Sequence, residues 1–303
     1  MAELRFDGRV AVITGAGRGL GRAYALLLAA RGARIVVNDV GGDIFGKGAD
    51  AGPAQAVVEE IRAAGGIAVA CTDSVARPEG GQAIVDAAVA NFGRVDILIH
   101  NAGITRRGSF KDLTLADFDA VLDVHLKGAL HVARPAFPRM CAAGYGRIVL
   151  TSSIAGLYAE RNVAPYCIAK AGLIGLSNAL ALEGAAEGVH SNCIMPVAVT
   201  RMSEGRDTSS FPPLTPEQVA PAVAWLAHES CPMNGEMLIS AAGRVAKAFV
   251  SETPGVHQAA WTVEQLAGRM DAIGDTAGAL TFPVAPSGFY DHLQYSFEMA
   301  RKG

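Results

Sequence analysis

Thr14-Gly-Ala-Gly-Arg-Gly-Leu-Gly21 follows a short apolar run, Arg9 to Thr14, and opens a helical pattern that continues to Arg31. Glycines allow a tight turn and a close approach of the backbone to a ligand, and the unpaired N–H groups at the start of a helix attract phosphate. The segment therefore predicts a strand, a turn that cradles a pyrophosphate, and a helix. A glycine cluster that only joins a strand to a helix is the simpler alternative.

The same alternation of β-branched run, turn and helical pattern recurs along most of the chain. It predicts an α/β fold, a doubly wound (Rossmann) parallel sheet flanked by helices. The predicted strands are Arg9–Thr14, Arg34–Asn38, Ile67–Cys71, Val95–His100, Arg147–Thr151, Ser191–Met195 and, as the last strand, Met237–Ser240. The predicted helices include Gly21–Arg31, Pro53–Ala64 and a long helix that Thr114 and Asp117 cap and that runs through His131.

The alternation stops after residue 250, so we expect residues 1–250 to form the Rossmann domain and residues 251–303 a C-terminal extension. Within the extension, Thr262 and Gln265 form a capping pattern ahead of one amphipathic helix that ends at Gly274. Its apolar positions are Val263, Leu266, Met270 and Ile273. We expect this face to pack on its own domain or on a second subunit, and the sequence does not separate these alternatives.

Composition limits the partners of the protein. A formal charge of -3 over 303 residues, without a cluster of Lys and Arg, argues against nucleic acid or an anionic membrane as a partner. The chain start lacks a signal-peptide pattern, and no apolar run reaches the roughly 18 residues of a membrane span. The five cysteines and seven histidines show no metal-binding spacing. We therefore expect a soluble cytoplasmic protein with a small-molecule substrate and no metal.

Asp39 ends the second predicted strand, roughly twenty residues beyond the glycine turn, where a carboxylate can accept the hydroxyls of an adenosine ribose. A 2′-phosphate there would meet a like charge, at a penalty of a few kcal/mol for an effective dielectric constant of about 20. Arg18 favours the opposite outcome, because its guanidinium can pair with that phosphate. Since the carboxylate is expected to be the nearer group, the pattern favours NAD over NADP.

Tyr166 and Lys170 are four residues apart on a predicted helix, so their side chains share a face. Free tyrosine has a pKa of about 10 and is a weak base at neutral pH. An ammonium about 4 Å away would favour the tyrosinate by roughly 4 kcal/mol, before the lysine's own desolvation is subtracted. The pair can therefore move a proton to or from a substrate hydroxyl, although a pair of surface residues would show the same spacing.

Four motifs now stand in one order: the glycine turn, Asn101-Ala-Gly103, Ser153, and Tyr166-x-x-x-Lys170. Over about residues 6–245 the chain resembles the short-chain dehydrogenase/reductase family. The resemblance implies an oxidoreductase in which Tyr166 is the acid or base, Ser153 holds the substrate oxygen and Lys170 also binds the nicotinamide ribose. The cofactor-binding residues implied are Gly15, Arg18, Gly19, Leu20, Gly21, Asp39, Asp73, Ser74, Asn101, Gly103, Tyr166, Lys170, Pro196 and Thr200.

Some of these positions have simpler interpretations or depart from the family pattern. Asn101 can be a turn residue, and Asp73 can simply cap a helix. The family usually has Pro-Gly where this chain has Pro196-Val197, which leaves the local backbone open. His125 stands where the family commonly has an Asn that anchors a proton-relay water. A histidine can serve in such a relay, and a buried imidazole with no role in catalysis is the alternative.

One subgroup matches more segments: Arg5-Phe-Asp-Gly-Arg-Val, Val37-Asn-Asp-Val-Gly-Gly-Asp, Val124-His-Leu and His228-Glu-Ser-Cys. These segments, the loop Gly41 to Gly52 and the extension resemble the (3R)-hydroxyacyl-CoA dehydrogenase part of peroxisomal multifunctional enzymes of type 2. The resemblance implies oxidation of a (3R)-hydroxyacyl-CoA to a 3-oxoacyl-CoA in a homodimer. The chain end, Ala-Arg-Lys-Gly303, lacks a Ser-Lys-Leu-like address, so we do not carry over peroxisomal import.

The alcohol itself stays open. A hydroxysteroid dehydrogenase or a dehydrogenase of sterol side-chain acyl-CoA would use the same catalytic residues, and Ser203 to Leu214 is the expected lid that selects among substrates. Arg106 and Arg107 can pair with CoA phosphates or be a solvated surface pair, and the second is the simpler interpretation. From another class, an NAD-sensing binder without activity would have the same glycine turn.

Overall fold

The computed structural model describes residues 3–203, 207, 209–285 and 287–302. It divides into two compact units, one up to Lys247 and one from Ala248 onward. The predicted lid, Ser203 to Leu214, lies in part outside the described residues, as does the chain end at Gly303.

Within the described residues, eight strands form one sheet in the order β3-β2-β1-β4-β5-β6-β7-β8. Pairing is parallel from β3 to β7. The order reverses between β1 and β4, and ligands bind at such a switch point, outside the carboxyl ends of the strands. The strands are β1 Val10–Thr14, β2 Arg34–Asn38, β3 Ile67–Cys71, β4 Ile97–His100, β5 Gly146–Thr151, β6 Val189–Val197, β7 Met237–Ala241 and β8 Arg244–Ala248.

Helices connect the strands and cover the sheet. The first unit contains α1 Gly19–Ala30, α2 Gly52–Ala63, α3 Pro78–Phe92, α4 Leu115–Leu122, α5 Gly128–Ala142, α6 Ala155–Tyr158, α7 Ala164–Gly184 and α8 Pro216–Ala227. The second unit contains α9 Val263–Ala267, α10 Met270–Ile273 and α11 Gly288–Lys302. A π-helical turn, Asp123–Lys127, joins α4 to α5. The doubly wound α/β fold expected from the sequence is confirmed.

The core forms around the central strands, most of whose residues are apolar. Every residue of β1 and β4 is buried, as expected for parallel strands that helices cover on both faces. Tyr24 and Leu28 of α1 and Val223 of α8 are fully buried in the same cluster as Ile13 of β1. The apolar side chains of α1 and α8 therefore fix the helix that follows the glycine turn against the sheet.

Helix α7 corrects one expectation about the membrane. With the turn that follows it, through Glu187, it is long and apolar enough to cross a membrane by length and composition, although no such run was expected from the sequence. A helix buried in a protein core passes the same test. Here Ala169, Leu173 and Ala181 are fully buried, and Ser177 bonds to Ser191 of β6.

Several element boundaries differ from the predictions. β7 is not the last strand, because the two-residue turn Ala242-Gly243, with both φ angles positive, reverses the chain into β8. The helix capped by Thr114 and Asp117 does not end near His131: it changes to the π-helical turn and then continues through Ala142. In the extension the expected single helix is two, α9 and α10, with a break at Gly268 and Arg269. Helix α11 was not predicted.

Candidate active site

A cleft of about 600 Å³ opens at the carboxyl ends of the central strands. It brings together residues that lie far apart in the sequence, which is what the switch point between β1 and β4 predicts. The predicted site residues that line it are Gly15, Arg18, Gly19, Leu20, Asp39, Ser74, Asn101, Gly103, His125, Ser153, Tyr166, Lys170, Pro196 and Thr200. Gly21 and Asp73, also predicted to bind the cofactor, are not among its lining residues.

The glycine turn requires its glycines for two different reasons. Gly15 has a φ of +63°, and a Cβ there would lie 2.8 Å from the Cα of Ala102. A Cβ on Gly21 would lie 2.2 Å from the carbonyl oxygen of Gly15. Gly15 thus lets the turn lie directly against the segment after β4, whereas Gly21 lets the helix start close against the turn. This packing explains why Gly21 lies behind the cleft surface.

Asp39 is held at the end of β2 by the backbone. One carboxylate oxygen accepts from the N–H of Gly17 at 2.9 Å, and the other accepts from the N–H of Gly41 at 2.7 Å. A carboxylate oxygen accepts more than one hydrogen bond, so both oxygens can still accept from a ligand hydroxyl. Arg18 extends instead towards the loop after β2, where Nη1 lies 3.4 Å from the carbonyl oxygen of Gly42.

Of the two cofactor-binding residues predicted after β3, Asp73 and Ser74, only Ser74 is among the lining residues of the cleft. Ser74 lines it, and its hydroxyl accepts from the N–H of Ala76 at 3.3 Å. Asp73 is exposed; one of its carboxylate oxygens accepts from the thiol of Cys71 at 3.4 Å, and its backbone carbonyl accepts from Asn38 Nδ2 at 2.8 Å. The contact of Asp73 with a cofactor therefore stays a prediction.

Asn101 ties the end of β4 to the glycine turn. Its Nδ2 donates to the carbonyl oxygen of Gly15 at 3.1 Å, and its backbone N–H donates to the hydroxyl of Thr14 at 3.1 Å. The side chain therefore does more than shape a turn. It connects two segments that form adjacent parts of the cleft wall.

Ser153, Tyr166 and Lys170 meet at the carboxyl end of β5. Ser153 is 9% exposed, and its Oγ accepts from the N–H of Ala155 at 3.1 Å. Tyr166 lies in the first turn of α7 and is half-buried, and Lys170 follows one turn later with its Nζ 5.4 Å from the centroid of the tyrosine ring. Lys170 Nζ donates to the carbonyl oxygen of Thr151. The shared helix face predicted from the spacing of four is present.

The charge of Lys170 differs from the simple expectation. The side chain is buried, and burial lowers its pKa to about 7. Near neutral pH the folded protein therefore holds this proton less firmly than a solvent-exposed lysine does. The ammonium that was expected to stabilise a tyrosinate is itself destabilised by desolvation, so its effect on Tyr166 is weaker than the simple Coulomb figure suggests.

His125 lies in the π-helical turn and is 1% exposed. Its ring meets the ring of Tyr166 edge-on, with centroids 5.4 Å apart, and its Nε2 lies 2.8 Å from the carbonyl oxygen of Ile104. Burial, followed by the charge of Lys170, holds the pKa of His125 well below its ordinary value. The imidazole is therefore neutral at pH 7, so any proton relay through it would use a neutral ring.

The cleft also contains residues that the sequence analysis did not assign. The loop Gly41 to Gly52, an insertion that the sequence analysis used only for the resemblance to one subgroup, supplies Ile44 and Phe45 to the lining. The N–H of Thr105 donates to the carbonyl oxygen of Ile44 at 2.9 Å, which ties this loop to the segment after β4. The available signal was the position of the insertion directly after Asp39, where any added residues lie beside the dinucleotide-binding edge of the sheet.

Arg106 is not the solvated side chain that the simpler interpretation gave. Its Nε lies 3.3 Å from the carboxylate of Asp117, and its guanidinium stands 5.9 Å from the ring centroid of Phe45. Arg107 is exposed and also lines the cleft. The pair therefore divides into one arginine engaged with its own chain and one at the rim.

The backbone at Pro196-Val197, left open by the sequence, is extended. β6 continues through both residues, and Pro196 pairs with Ser240 and Val197 with Ala241 of β7. A glycine is therefore not required at position 197. Thr200 follows at the same edge of the sheet and lines the cleft, as predicted for it.

Comparison with known proteins gives a consistent result. A family model described as short chain dehydrogenase matches residues 9–209. The chain is 50% identical over 246 residues to peroxisomal multifunctional enzyme type 2 of Drosophila melanogaster, covering 81% of this chain and 41% of that protein. It is 44% identical over 277 residues to the putative short-chain type dehydrogenase/reductase Rv0148 of Mycobacterium tuberculosis, covering 89% of this chain and 96% of that protein.

A solved structure is similar as well. The full-length Drosophila melanogaster peroxisomal multifunctional enzyme type 2 superimposes with a TM-score of 0.81 and 37% identity, over 99% of this chain and 50% of that one. By the sequence comparison, the chain spans 41% of the length of the Drosophila relative.

Proposed function

The chain belongs to the short-chain dehydrogenase family, and from this membership we propose that it transfers a hydride between NAD and a secondary alcohol or ketone. The observation that carries the proposal is the meeting of Ser153, Tyr166 and Lys170 with the glycine turn and Asp39 along one cleft. A proton-transfer group and a dinucleotide-binding edge in the same cleft are what hydride transfer to a nicotinamide requires.

The residues present fit a dinucleotide. A Cβ at Gly15 would collide with the backbone of Ala102, so only glycine lets the turn lie directly against the segment after β4. Gly15, Gly19 and Leu20 of this turn line the cleft at the start of α1, where backbone N–H groups would hold a pyrophosphate. Asp39 would accept the adenosine ribose hydroxyls and Lys170 would bond to the nicotinamide ribose. When bound, NAD supplies the hydride acceptor. A dinucleotide also gives the amine of Lys170 polar partners in the cleft, where it now bonds to the carbonyl of Thr151.

The protein's own residues account for the proton. Ser153 Oγ already accepts from Ala155, so its hydrogen remains to be donated to the substrate oxygen. Tyr166 removes the proton from the substrate hydroxyl during oxidation and returns it during reduction. Lys170 behind it, with a pKa of about 7, can lose or take up a proton near neutral pH and so favour either state of the tyrosine. Ile104 and Phe45 line the cleft and make part of its wall apolar.

We propose a (3R)-hydroxyacyl-CoA as the substrate, with 3-oxoacyl-CoA as the product. Support comes from the similarity to peroxisomal multifunctional enzyme type 2 and from the loop Gly41 to Gly52, which adds Ile44 and Phe45 to the cleft. An acyl chain fits an apolar wall, and exposed Arg107 at the rim can meet a CoA phosphate. We also propose a homodimer in the cytoplasm, as expected from the sequence.

The test is NADH formation with 3-hydroxyacyl-CoAs of both configurations beside a panel of hydroxysteroids. We expect turnover with the (3R) esters and little with the (3S) esters. Preference for a hydroxysteroid would replace the substrate proposal and leave the reaction class intact. Cofactor binding without reduction across the whole panel would support the NAD-sensing binder instead.

The role of Tyr166 can be isolated with Tyr166→Phe, which keeps the ring against His125 and removes the hydroxyl. We expect kcat to fall by at least about a hundredfold, the lower range for general acid–base catalysis, while the Kd of NADH changes little. Direct titration of NADH into the variant provides the control for folding. Turnover close to that of the wild type would contradict the assignment of Tyr166.

The cofactor preference depends on Asp39. We expect the wild type to have the higher kcat/KM with NAD, and Asp39→Asn to reduce the ratio of NAD to NADP efficiency by about tenfold or more, because a negative charge no longer faces the 2′-phosphate. Asn has a single amide oxygen, so it can accept from the N–H of Gly17 or from that of Gly41, but its other side-chain atom is a donor. Thermal stability is therefore measured in parallel. A wild-type preference for NADP would overturn the NAD proposal.

A further inference from the structure

His100 is a buried polar side chain that the proposed reaction does not use. It is the last residue of β4, at the centre of the sheet, and is 1% exposed. Its imidazole makes two hydrogen bonds, one on each nitrogen, to groups in different segments of the chain. A histidine in a parallel strand is unusual enough that the direction of these bonds is informative, because a buried ring must satisfy both nitrogens.

The first bond determines the tautomer. The hydroxyl of Thr14 lies 3.1 Å from His100 Nδ1, and it accepts from the backbone N–H groups of Asn101 and Ala102, each at 3.1 Å. A hydroxyl has two acceptor lone pairs and one hydrogen. With both lone pairs occupied by amide donors, the hydroxyl hydrogen is donated to Nδ1. The ring must then carry its own proton on Nε2.

The second bond follows from the first. His100 Nε2 lies 3.1 Å from the backbone carbonyl oxygen of His125, so the N–H donates to it. Burial lowers the pKa of His100 to about 3, which keeps the ring in this neutral form at physiological pH. A chain of hydrogen bonds, each donating to the next group, therefore runs from the amides after β4, through Thr14 and His100, to the π-helical turn. This bond chain has a single donor-to-acceptor direction.

Both ends of this chain touch the cleft. Thr14 immediately precedes Gly15, whose carbonyl also holds Asn101. At the other end, His125 packs its ring edge-on against Tyr166. One imidazole thus links the residue that begins the glycine turn with the backbone that supports the ring behind Tyr166.

We propose that His100 is a positioning residue whose two nitrogens have separable effects: Nδ1 fixes the glycine turn for the dinucleotide, and Nε2 fixes the His125 turn behind Tyr166. The inference rests on the proposed function for its kinetic part only. Its structural part, the two hydrogen bonds and the tautomer, belongs to the unliganded protein.

Two substitutions each keep one of the two hydrogen bonds of His100 and remove the other. His100→Asn places an amide oxygen near the position of Nδ1 and cannot reach the carbonyl of His125. His100→Gln places an amide N–H near the position of Nε2 and leaves the hydroxyl of Thr14 without its acceptor. His100→Leu removes both bonds. Thr14→Val removes the hydroxyl from the other side and is the second variant if a substitution at His100 prevents folding.

We expect a split between binding and turnover. His100→Asn should lower kcat by about tenfold, the size of one lost buried hydrogen bond, with a smaller change in the Kd of NADH. His100→Gln should raise that Kd by about tenfold, with a smaller change in kcat. Thr14→Val also removes the acceptor of the Asn101 and Ala102 N–H groups, so it should raise the Kd by at least as much. Equal changes of both quantities in the Asn and Gln variants, or changes in thermal stability alone, would overturn the proposal.

A spectroscopic measurement on the protein without cofactor separates the inference from the proposed function. In ¹⁵N spectra of the histidine side chains, the signals of His100 are those that disappear in His100→Asn. We expect this ring to be neutral, protonated on Nε2 and unchanged between pH 5 and 8, and its Nδ1 signal to shift in Thr14→Val. A proton on Nδ1, or titration in that range, would refute the bond chain. If wild-type protein binds no nicotinamide cofactor, the proposed function fails, and this spectrum still decides whether His100 has the tautomer and the two hydrogen bonds described.

Discussion

Lys170 combines a catalytic position with an unfavourable location for a charge. Its amine bonds to the carbonyl of Thr151 inside a buried pocket, and the lowered pKa of about 7 reflects the desolvation of the ammonium. Pairs of titratable groups whose environments differ in this way are typical of sites that move protons near neutral pH. Such a group must also make the stability of the protein depend on pH.

Lys170 makes the folded protein more stable as the pH rises above 7. In the unfolded chain the amine keeps a proton up to a pKa of about 10.4, whereas in the folded protein it loses the proton near pH 7. The unfolded state therefore binds more protons between these values, and stability rises with pH across that window. Below pH 7 the folded protein carries the full penalty of a buried ammonium.

Lys170→Met tests this at the residue scale. Between pH 6 and 9.5 we expect the free energy of unfolding of the wild type to rise relative to the variant by on the order of 3 kcal/mol. Chemical denaturation at several pH values measures it, and Lys111→Met, at an exposed position, gives the comparison. A difference between wild type and Lys170→Met that stays constant over this range would show that the amine is not desolvated as described.

At the scale of elements, the π-helical turn between α4 and α5 forms part of the site. It brings His125 against Gly103, where an added Cβ would lie 2.5 Å from the imidazole Cε1. π-helical turns inside α-helices frequently mark functional sites. The turn and the end of β4 are therefore packed so closely that a single methyl group should displace one of them.

Gly103→Ala should lower kcat by about tenfold or more, because a displacement of 1 Å near reacting groups has effects of that size, while the protein stays folded. Gly81→Ala is the matched control: its Cβ would lie 2.3 Å from the carbonyl oxygen of His131, at the contact of α3 with α5 and away from the cleft lining. We expect Gly81→Ala to lower Tm and to retain kcat. Equal kcat values for both variants would argue against a role of the turn in catalysis.

The sequence was sufficient for the fold class and for the family, because periodicity, the glycine turn and the Tyr166-x-x-x-Lys170 spacing are local patterns. It was not sufficient where the outcome depends on packing. The π-helical turn has no propensity signal, and the break between α9 and α10 interrupts a run that keeps the helical period. Likewise, the burial of Lys170 and the bonds of His100 arise only when distant strands and helices meet.

At the scale of the whole molecule, the C-terminal unit has an apolar face that its own fold does not explain. Val263, Leu266 and Met270 are 79%, 44% and 53% exposed, although Thr262 and Gln265 cap the helix as predicted. Helix α11 adds exposed Phe289, Tyr290 and Phe297. Exposed apolar surface of this kind indicates a binding surface. The sequence left packing on its own domain and packing on a second subunit open for this face, and the proposed homodimer makes the second the alternative to test.

We therefore expect sedimentation velocity of the full chain to give twice the mass of one chain, and Leu266→Asp combined with Met270→Asp to shift it towards one. A carboxylate buried at an interface without a partner destabilises it strongly, because its desolvation is not compensated. Asp271→Lys changes a charge on α10 without altering these apolar positions, so it should leave the dimer intact.

A dimer that survives the double substitution would place its interface elsewhere, for example on the helices of the first unit. A monomeric wild type would instead contradict the homodimer itself. Among the described residues, those that line the cleft lie before residue 215, so the double variant should also retain its affinity for NADH. This measurement separates assembly from cofactor binding.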